Sequence, residues 1–309
     1  MISYPVVHSL PRFAILVIGH RGMLGQDLLA CFEARGQTPV GLDVQEIDIT
    51  LAVQVDGVLR EHKPQLVINC AAYTAVDKAE VEPDLAFAVN RTGPENLAKG
   101  CKHLGIPLIH LSTDYIFDGK ATRPYQEDDP AGPLSVYGRS KWAGEQSVRS
   151  LLPEHLIVRT AWLYGVRGNN FVKTMLRLAR ERDELRVVAD QYGSPTWTGD
   201  LSDILVEMSL QVLSGSVQAP WGTYHCCNDG WTTWFEFARC IVDHAREMGE
   251  VKVQRMVPIA SSEYPLPTPR PAYSILDCTK IARVFGINPR PWQVAFADMM
   301  KQLRSSEDL

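Results

Sequence analysis

The chain has 309 residues, 45% of them hydrophobic and 22% charged, with a formal net charge of −5. That is the balance of an ordinary globular protein of one large or two modest domains. A net-negative chain without a lysine- or arginine-rich run lacks the basic surface a nucleic acid requires, and the absence of any apolar run of about 18 residues excludes a membrane-spanning helix.

Residues 1–12, "MISYPVVHSLPR", have no charged n-region and two prolines, and read as a short leader. "FAILVIG" (13–19) is a continuous apolar run, the mark of a strand buried on both faces. A helix pattern covers 22–35, a weaker strand 38–43, a helix 51–62 stopping before Pro64, and a third strand 65–72. A long helical pattern over 83–104 leads to a fourth strand at 106–113. A loop rich in Pro, Gly and Asp (118–133), a helix at 134–150 and a strand at 156–162 follow. Strands alternating with helices predict an α/β fold with a parallel sheet covered on both faces. Right-handed crossovers make it doubly wound and Rossmann-like. Beyond 165 the pattern loosens. Helices are expected at 169–183 and 199–213, short strands at 185–190 and 222–228, and the stretch 258–271 carries five prolines. The expected organisation is a dinucleotide-binding domain over 13–165. A smaller, mainly substrate-binding region over 166–309 is expected to be partly interleaved with the main sheet.

The seven cysteines show no CxxC spacing, so a reduced, cytoplasmic protein with free thiols is expected. The eight histidines form no HExxH or other ligand spacing, and no catalytic metal is expected.

"VIGHRGMLGQDLL" places Gly19, Gly22 and Gly25 between the first strand and the first helix. There, glycines allow a tight turn and close backbone approach to a pyrophosphate, which meets the positive end of the helix. Asp43, at the end of the second strand, suits an adenosine ribose diol and hence NADH. Arg21, inside the turn, suits a 2′-phosphate and hence NADPH. The two signals conflict, and the cofactor is NADPH or NADH. Asp48, in "IDIT", reads equally as an adenine-pocket residue or as a helix N-terminal acid.

"SVYGRSKWAGEQ" (135–146) holds Tyr137 and Lys141 four residues apart, one above the other on a helix face. A cation beside a phenol lowers its pKa and readies it as a proton donor. The fourth strand ends "HLSTDYIFDG", which brings Thr113 to the same sheet edge as the glycine turn. This grouping suits carbonyl reduction: Thr113 holds the oxygen, Tyr137 donates the proton, and Lys141 tunes Tyr137 and bonds the nicotinamide ribose.

"GHRGMLG", "NCAAYTAVDKAE" (69–80), the "AVN" ending at Asn90, "STDYIFDG" and "YGRSK" resemble the extended short-chain dehydrogenases/reductases. With "RTAWLYG" (159–165), "NNFVKTMLRLA" (169–179), "DQYGSPT" (190–196) and "RPAYSILDC" (270–278), the chain is similar to the dTDP-4-dehydrorhamnose reductase family within them. The resemblance implies NAD(P)H-dependent reduction of the 4-keto group of dTDP-4-dehydro-L-rhamnose to dTDP-L-rhamnose. It carries catalysis onto Thr113, Tyr137 and Lys141. Cofactor contacts fall on Gly22, Met23, Leu24, Asp43, Asp48, Ile49, Ala72, Tyr73 and Thr74, and sugar contacts on Val76, Thr113, Asp114, Tyr115 and Trp162. It also implies that Asn90 supports the active-site backbone. Cys70 stands where the resembling motif commonly has alanine.

The implied partner is a dTDP-sugar substrate; the oligomeric state is left open, a homodimer included. Related dehydratases need an acid where this chain has Tyr115. The alternatives are another nucleotide-sugar reductase or epimerase, and a non-catalytic NADP-binding regulatory subunit.

Overall fold

The computed structural model describes residues 12–218, 220–247, 249 and 251–305, so the expected leader lies, but for Arg12, outside the described residues. The first half runs β1 (Ile15–Ile18), α1 (Met23–Ala34), β2 (Val40–Leu42), α2 (Ala52–His62), β3 (Leu66–Asn69), α3 (Val76–Ala79) and α4 (Pro83–Phe87). A π-helical turn (Ala88–Thr92), α5 (Gly93–Leu104), β4 (Leu108–Thr113), α6 (Val136–Leu151) and β5 (His155–Thr160) complete it. The second half runs β6 (Leu163–Tyr164), α7 (Phe171–Glu181), β7 (Glu184–Val188), β8 (Tyr192–Gly193), β9 (Thr196–Trp197), α8 (Thr198–Ser214) and β10 (Gly222–His225). It ends with β11 (Thr232–Thr233), α9 (Trp234–Glu247), β12 (Arg255–Ile259), α10 (Thr279–Phe285) and α11 (Trp292–Ser305).

The main sheet has six strands in the order β10-β5-β4-β3-β1-β2, and every pairing in it is parallel. All side chains of β1, β3, β4 and β5 are buried, as a sheet covered on both faces requires. Leu28 and Phe32 of α1, Leu201 and Leu205 of α8 and Ile281 of α10 cover one face through Val17, Ile68 and Ile109. Val55 and Leu59 of α2, Leu97 of α5 and Val148 of α6 cover the other through Leu16, Val67 and Leu108. A second core joins α7, α9 and α11 through Val172, Leu176, Phe237, Ile241, Phe296 and Met300.

The chain leaves β1 for β2 on one side and returns to β3 on the other. The crevice at the carboxyl ends of β1 and β3 is therefore the switch point where such sheets bind ligands.

Two elements differ from expectation. The pattern over 83–104 is not one helix: Pro94 has no N–H for the Asn90 carbonyl, and the Gly93 N–H reaches back to Ala88 in a wider π turn. The start of the proline-rich stretch overlaps the end of β12, which runs parallel to β7. Pro258 is tolerated because that sheet has only two strands.

Helix α6 starts cleanly, since the Ser135 side chain accepts from the Gly138 N–H at 3.0 Å. Its flank lies against the π turn, where a Cβ at Gly144 would run into the Asn90 carbonyl oxygen. Gly144→Ala is therefore expected to cost about 1–3 kcal/mol. A lower urea midpoint at unchanged slope is the expected result, and an unchanged midpoint would refute the close packing.

Candidate functional site

A cavity of about 820 Å³ runs along the carboxyl edge of the sheet, the size of a site for one or two small ligands. One end is the glycine turn. Gly19 has φ 81°, and a Cβ there would lie 2.6 Å from the Ala71 nitrogen. A Cβ at Gly25 would run into the Gly19 carbonyl. Gly22 precedes α1, whose first turn carries neither an acidic residue nor a side-chain cap. Its free N–H groups and positive end fit a pyrophosphate.

At the end of β2, Asp43 Oδ2 accepts from the Arg21 N–H at 2.9 Å. The Arg21 guanidinium pairs with Glu46 at 2.6 Å, and the other Glu46 oxygen accepts from the Asp43 N–H at 2.9 Å. Asp48 Oδ1 accepts from the Thr50 N–H and hydroxyl at 2.9 and 2.7 Å.

The other end collects the reactive groups. Thr113 closes β4; its hydroxyl donates to Asp114 Oδ1 at 3.0 Å and accepts from the Tyr115 N–H at 3.2 Å. Tyr137 lies in the first turn of α6, its ring meeting the Tyr115 ring edge-on at 5.5 Å. Lys141, one turn on, donates to the Leu111 carbonyl at 2.6 Å. Burial pushes the Tyr137 phenol up to about 12, against a hydrogen bond with Thr113. Burial pulls the Lys141 ammonium down to about 8, against the attraction of Glu145. The expected lowering of the phenol is thus not the net effect: removal from water outweighs any help from Lys141.

Asn90 ties this group together. Its carboxamide accepts from the Tyr73 N–H at 2.9 Å and donates to the Tyr73 carbonyl and the Ser140 hydroxyl, each at 3.0 Å. Ser140 in turn donates to the Tyr137 carbonyl at 2.8 Å.

Of the residues expected at the site, Gly19, Arg21, Gly22, Met23, Leu24, Gly25, Asp43, Asp48, Ile49, Ala72 and Thr74 line the cavity. So do Val76, Thr113, Asp114, Tyr115, Tyr137, Lys141 and Trp162. Tyr73 does not: its phenol turns away to donate to Glu82, and only its backbone serves the site, through Asn90. Trp162 departs from expectation in another way. It has φ 48°, a strained backbone for a tryptophan. One ring face, expected to be open to a sugar, is stacked on Trp234 at 3.5 Å. Trp234 and Glu46 carried no sequence signal; Glu80, which accepts from the Val136 N–H at 2.7 Å and so caps α6, ends the stretch 69–80 but was not singled out. Among the described residues, no cluster of His, Cys, Asp and Glu is placed to hold a metal ion.

Asp114 is buried, and burial raises its carboxyl to about 6, against hydrogen bonds from Ser274 and Thr113. The folded chain then holds a proton that the unfolded chain releases near the ordinary value of 3.8. The associated stability is full below that value and is lost as pH rises through about 6. Asp114→Asn should therefore be more stable than the parent by about 1–3 kcal/mol at about pH 7.5 and lose that advantage by about pH 4. Melting curves at both pH values check this; an equal gap at both refutes it.

A doubly wound parallel sheet, a glycine turn at its switch point and a Thr–Tyr–Lys group in the same cavity define a nucleotide-binding protein of the short-chain dehydrogenase/reductase type. Comparison with known proteins narrows this. Residues 13–305 match the family model described as RmlD substrate binding domain. A dTDP-4-dehydrorhamnose reductase of Streptomyces griseus is 44% identical over 95% of each chain. The solved dTDP-4-dehydrorhamnose reductase of Clostridium acetobutylicum superposes with TM-score 0.87 at 39% identity, over 95% of this chain and 100% of that one. That of Bacillus anthracis, in complex with NADP, gives 0.86 at 38% identity, over 94% and 100%. The chain belongs to the dTDP-4-dehydrorhamnose reductase family.

Proposed function

We propose that the chain reduces the 4-keto group of dTDP-4-dehydro-L-rhamnose with NADPH or NADH, giving dTDP-L-rhamnose. The observation that carries this reading is the lining of one cavity by the glycine turn, Thr113, Tyr137 and Lys141. Membership in a family whose relatives bear the reductase name supports it.

The Gly19–Gly25 turn and the start of α1 hold the cofactor's pyrophosphate, Asp43 or Arg21 its adenosine ribose, and Lys141 its second ribose. When bound, the reduced nicotinamide supplies a hydride to the carbonyl carbon. The chain's own groups manage the oxygen. Thr113 donates a hydrogen bond to it, and Tyr137 delivers a proton. A phenol held up at about 12 is fully protonated at neutral pH, so the donor is loaded before substrate arrives. The Lys141 ammonium on the same helix face then stabilises the phenolate that remains. Val76, Tyr115 and Trp162 form the sugar side of the cavity. Tyr115 follows Asp114 where a dehydratase needs an acid, so the keto sugar is reduced without loss of water. All seven cysteines are free, as a reducing cytoplasm keeps them.

Tyr137→Phe should lower kcat by about 10²-fold or more while leaving NADPH binding intact. Near-parental turnover in that variant removes Tyr137 from the mechanism. A parent protein that binds NADPH but never oxidises it, at any level of the keto sugar, is a regulatory subunit instead.

Glu46 bears on the choice of cofactor. It occupies the guanidinium of Arg21, which a 2′-phosphate would need free. Glu46→Gln should raise the affinity for NADPH over NADH by about 2–5-fold, the scale of one exposed ion pair. An unchanged ratio of dissociation constants places the 2′-phosphate elsewhere.

A further inference from the structure

Lys141 carries its ammonium into a place where only 2% of the residue is exposed. One turn further along the same face of α6, Glu145 is 0% exposed. Its carboxylate is saturated. Oε1 accepts from the Ser112 hydroxyl at 2.6 Å and Arg159 Nε at 2.9 Å, and Oε2 from Arg159 at 2.8 Å and Arg149 at 3.0 Å. Arg159 is itself 1% exposed; it also donates to the Glu127 carbonyl at 3.0 Å and lies 3.2 Å from His225 Nε2.

Ser112 and Arg159 sit on the strands that end at the site, and Arg149 lies on α6 itself. Ser112 directly precedes Thr113, Leu111 supplies the carbonyl that holds Lys141, and Arg159 lies on β5 three residues before Trp162. A buried ion pair contributes little net stability, because desolvation of both charges offsets their attraction. Apolar side chains would fill the same space with no charge to bury. What they would not supply is a negative charge beside the buried ammonium.

We propose that Glu145 is a positioning residue for the reaction, which fixes α6 to the ends of β4 and β5 and keeps the Lys141 ammonium charged at the cofactor. This rests on the reading of Lys141 as the group that holds the cofactor ribose.

The other titratable groups around Lys141 cannot substitute. From β4, His110 is driven well below its ordinary value by burial and stays neutral. Cys70, after β3, is held up at about 12 by burial and stays a thiol. Tyr137, on the same helix, stays a phenol. Asp114, at the end of β4, acts on Tyr137 and hydrogen-bonds Thr113. The ammonium, already lowered to about 8 by burial, keeps that value with Glu145 as its largest support. A protonated lysine holds a ribose hydroxyl by charge-assisted donation, roughly twice as strong as that of the neutral amine. Function that needs it is therefore present below about 8 and lost as pH rises through that value. Removing the Glu145 charge lowers the Lys141 pKa and moves the loss to lower pH.

The test is NADH affinity, read by fluorescence from about pH 5.5 to 9.5, on the full-length parent, Glu145→Gln, Arg159→Met, Glu145→Gln/Arg159→Met and Lys141→Met. The double variant loses two opposite charges whose effects on Lys141 offset, so it is read against Arg159→Met and carries the test if Glu145→Gln does not fold. The parent should lose affinity as pH rises through about 8. Glu145→Gln should lose it about one unit below the parent, and the double variant about one unit below Arg159→Met, with about tenfold weaker binding at about pH 8 in each comparison; Lys141→Met should show no such limb. Folded Glu145 variants whose limb coincides with that of their reference overturn the proposal alone. A parent without the limb, or a limb that persists in Lys141→Met, overturns the cofactor role of Lys141 and the proposal with it.

Discussion

Two glycines bring helix α6 into contact with neighbouring backbone, and the arrangement of the site depends on that closeness. A Cβ at Gly138 would run into the Tyr115 carbonyl, and one at Gly144 into the Asn90 carbonyl. With both absent, the helix seats its first turn against the end of β4 and its middle against the π turn. Tyr137 and Lys141 are thereby held at the sheet edge by backbone packing, which is stiffer than side-chain packing. Pro94 leaves the Asn90 carbonyl without an i+4 donor and so permits the π turn. The Asn90 side chain meanwhile binds both Tyr73 and Ser140. One local irregularity thus connects the loop after β3 with the helix that bears the phenol.

The second consequence of close packing is electrostatic. Burial acts on both members of the Tyr–Lys pair and in opposite directions, because it disfavours whichever form is charged. The phenol keeps its proton, and the ammonium comes near to losing its own. A general acid does not need a low pKa before the reaction. It needs a proton and a surrounding that accepts the charge left behind. The Lys141 ammonium and the Thr113 hydroxyl line the same cavity as the phenol. Spacing alone suggested a tuned phenol because it reports that two groups are neighbours, and says nothing about how much water they have lost.

The same distinction separates what was legible in the sequence from what was not. The glycine turn, the strand ends and the Tyr137–Lys141 pair are local patterns of period 2, 3.6 or fixed offset, so they could be read directly. The π turn interrupted an otherwise continuous helical pattern without altering its periodicity. Trp234 approaches Trp162 only because α9 packs in the second core, 72 positions away in sequence by the difference of the two residue numbers. Glu80 reaches Val136 across 56 residues, and Glu145 reaches Ser112 across 33. Each reads as an ordinary charged residue until the fold places it. Even Trp162, expected to contact a sugar and found lining the cavity, has one ring face covered by a neighbour that its own segment does not name.

The order of the chain also divides the lining of the cavity. The turn, the β2 end and the Thr–Tyr–Lys group all precede β5, within the winding that builds the sheet. The cavity end that holds Tyr115 and Trp162 is completed later, by chain that returns from the second core. Gly193 leaves no room for a side chain beside the Trp162 indole. Arg270 pairs with Asp77 at 2.9 Å and lies over the Tyr115 ring at 5.9 Å. The Tyr192 N–H donates to the Ala272 carbonyl at 2.8 Å, fastening the proline-rich segment beside Gly193. Changes in this later chain can therefore reshape the surroundings of Tyr115 and Trp162 while Thr113, Tyr137 and Lys141 stay fixed at the sheet edge. That end of the cavity is adjustable because it rests on side-chain contacts between distant segments, and the Tyr137–Lys141 end is not, because it rests on backbone held against backbone.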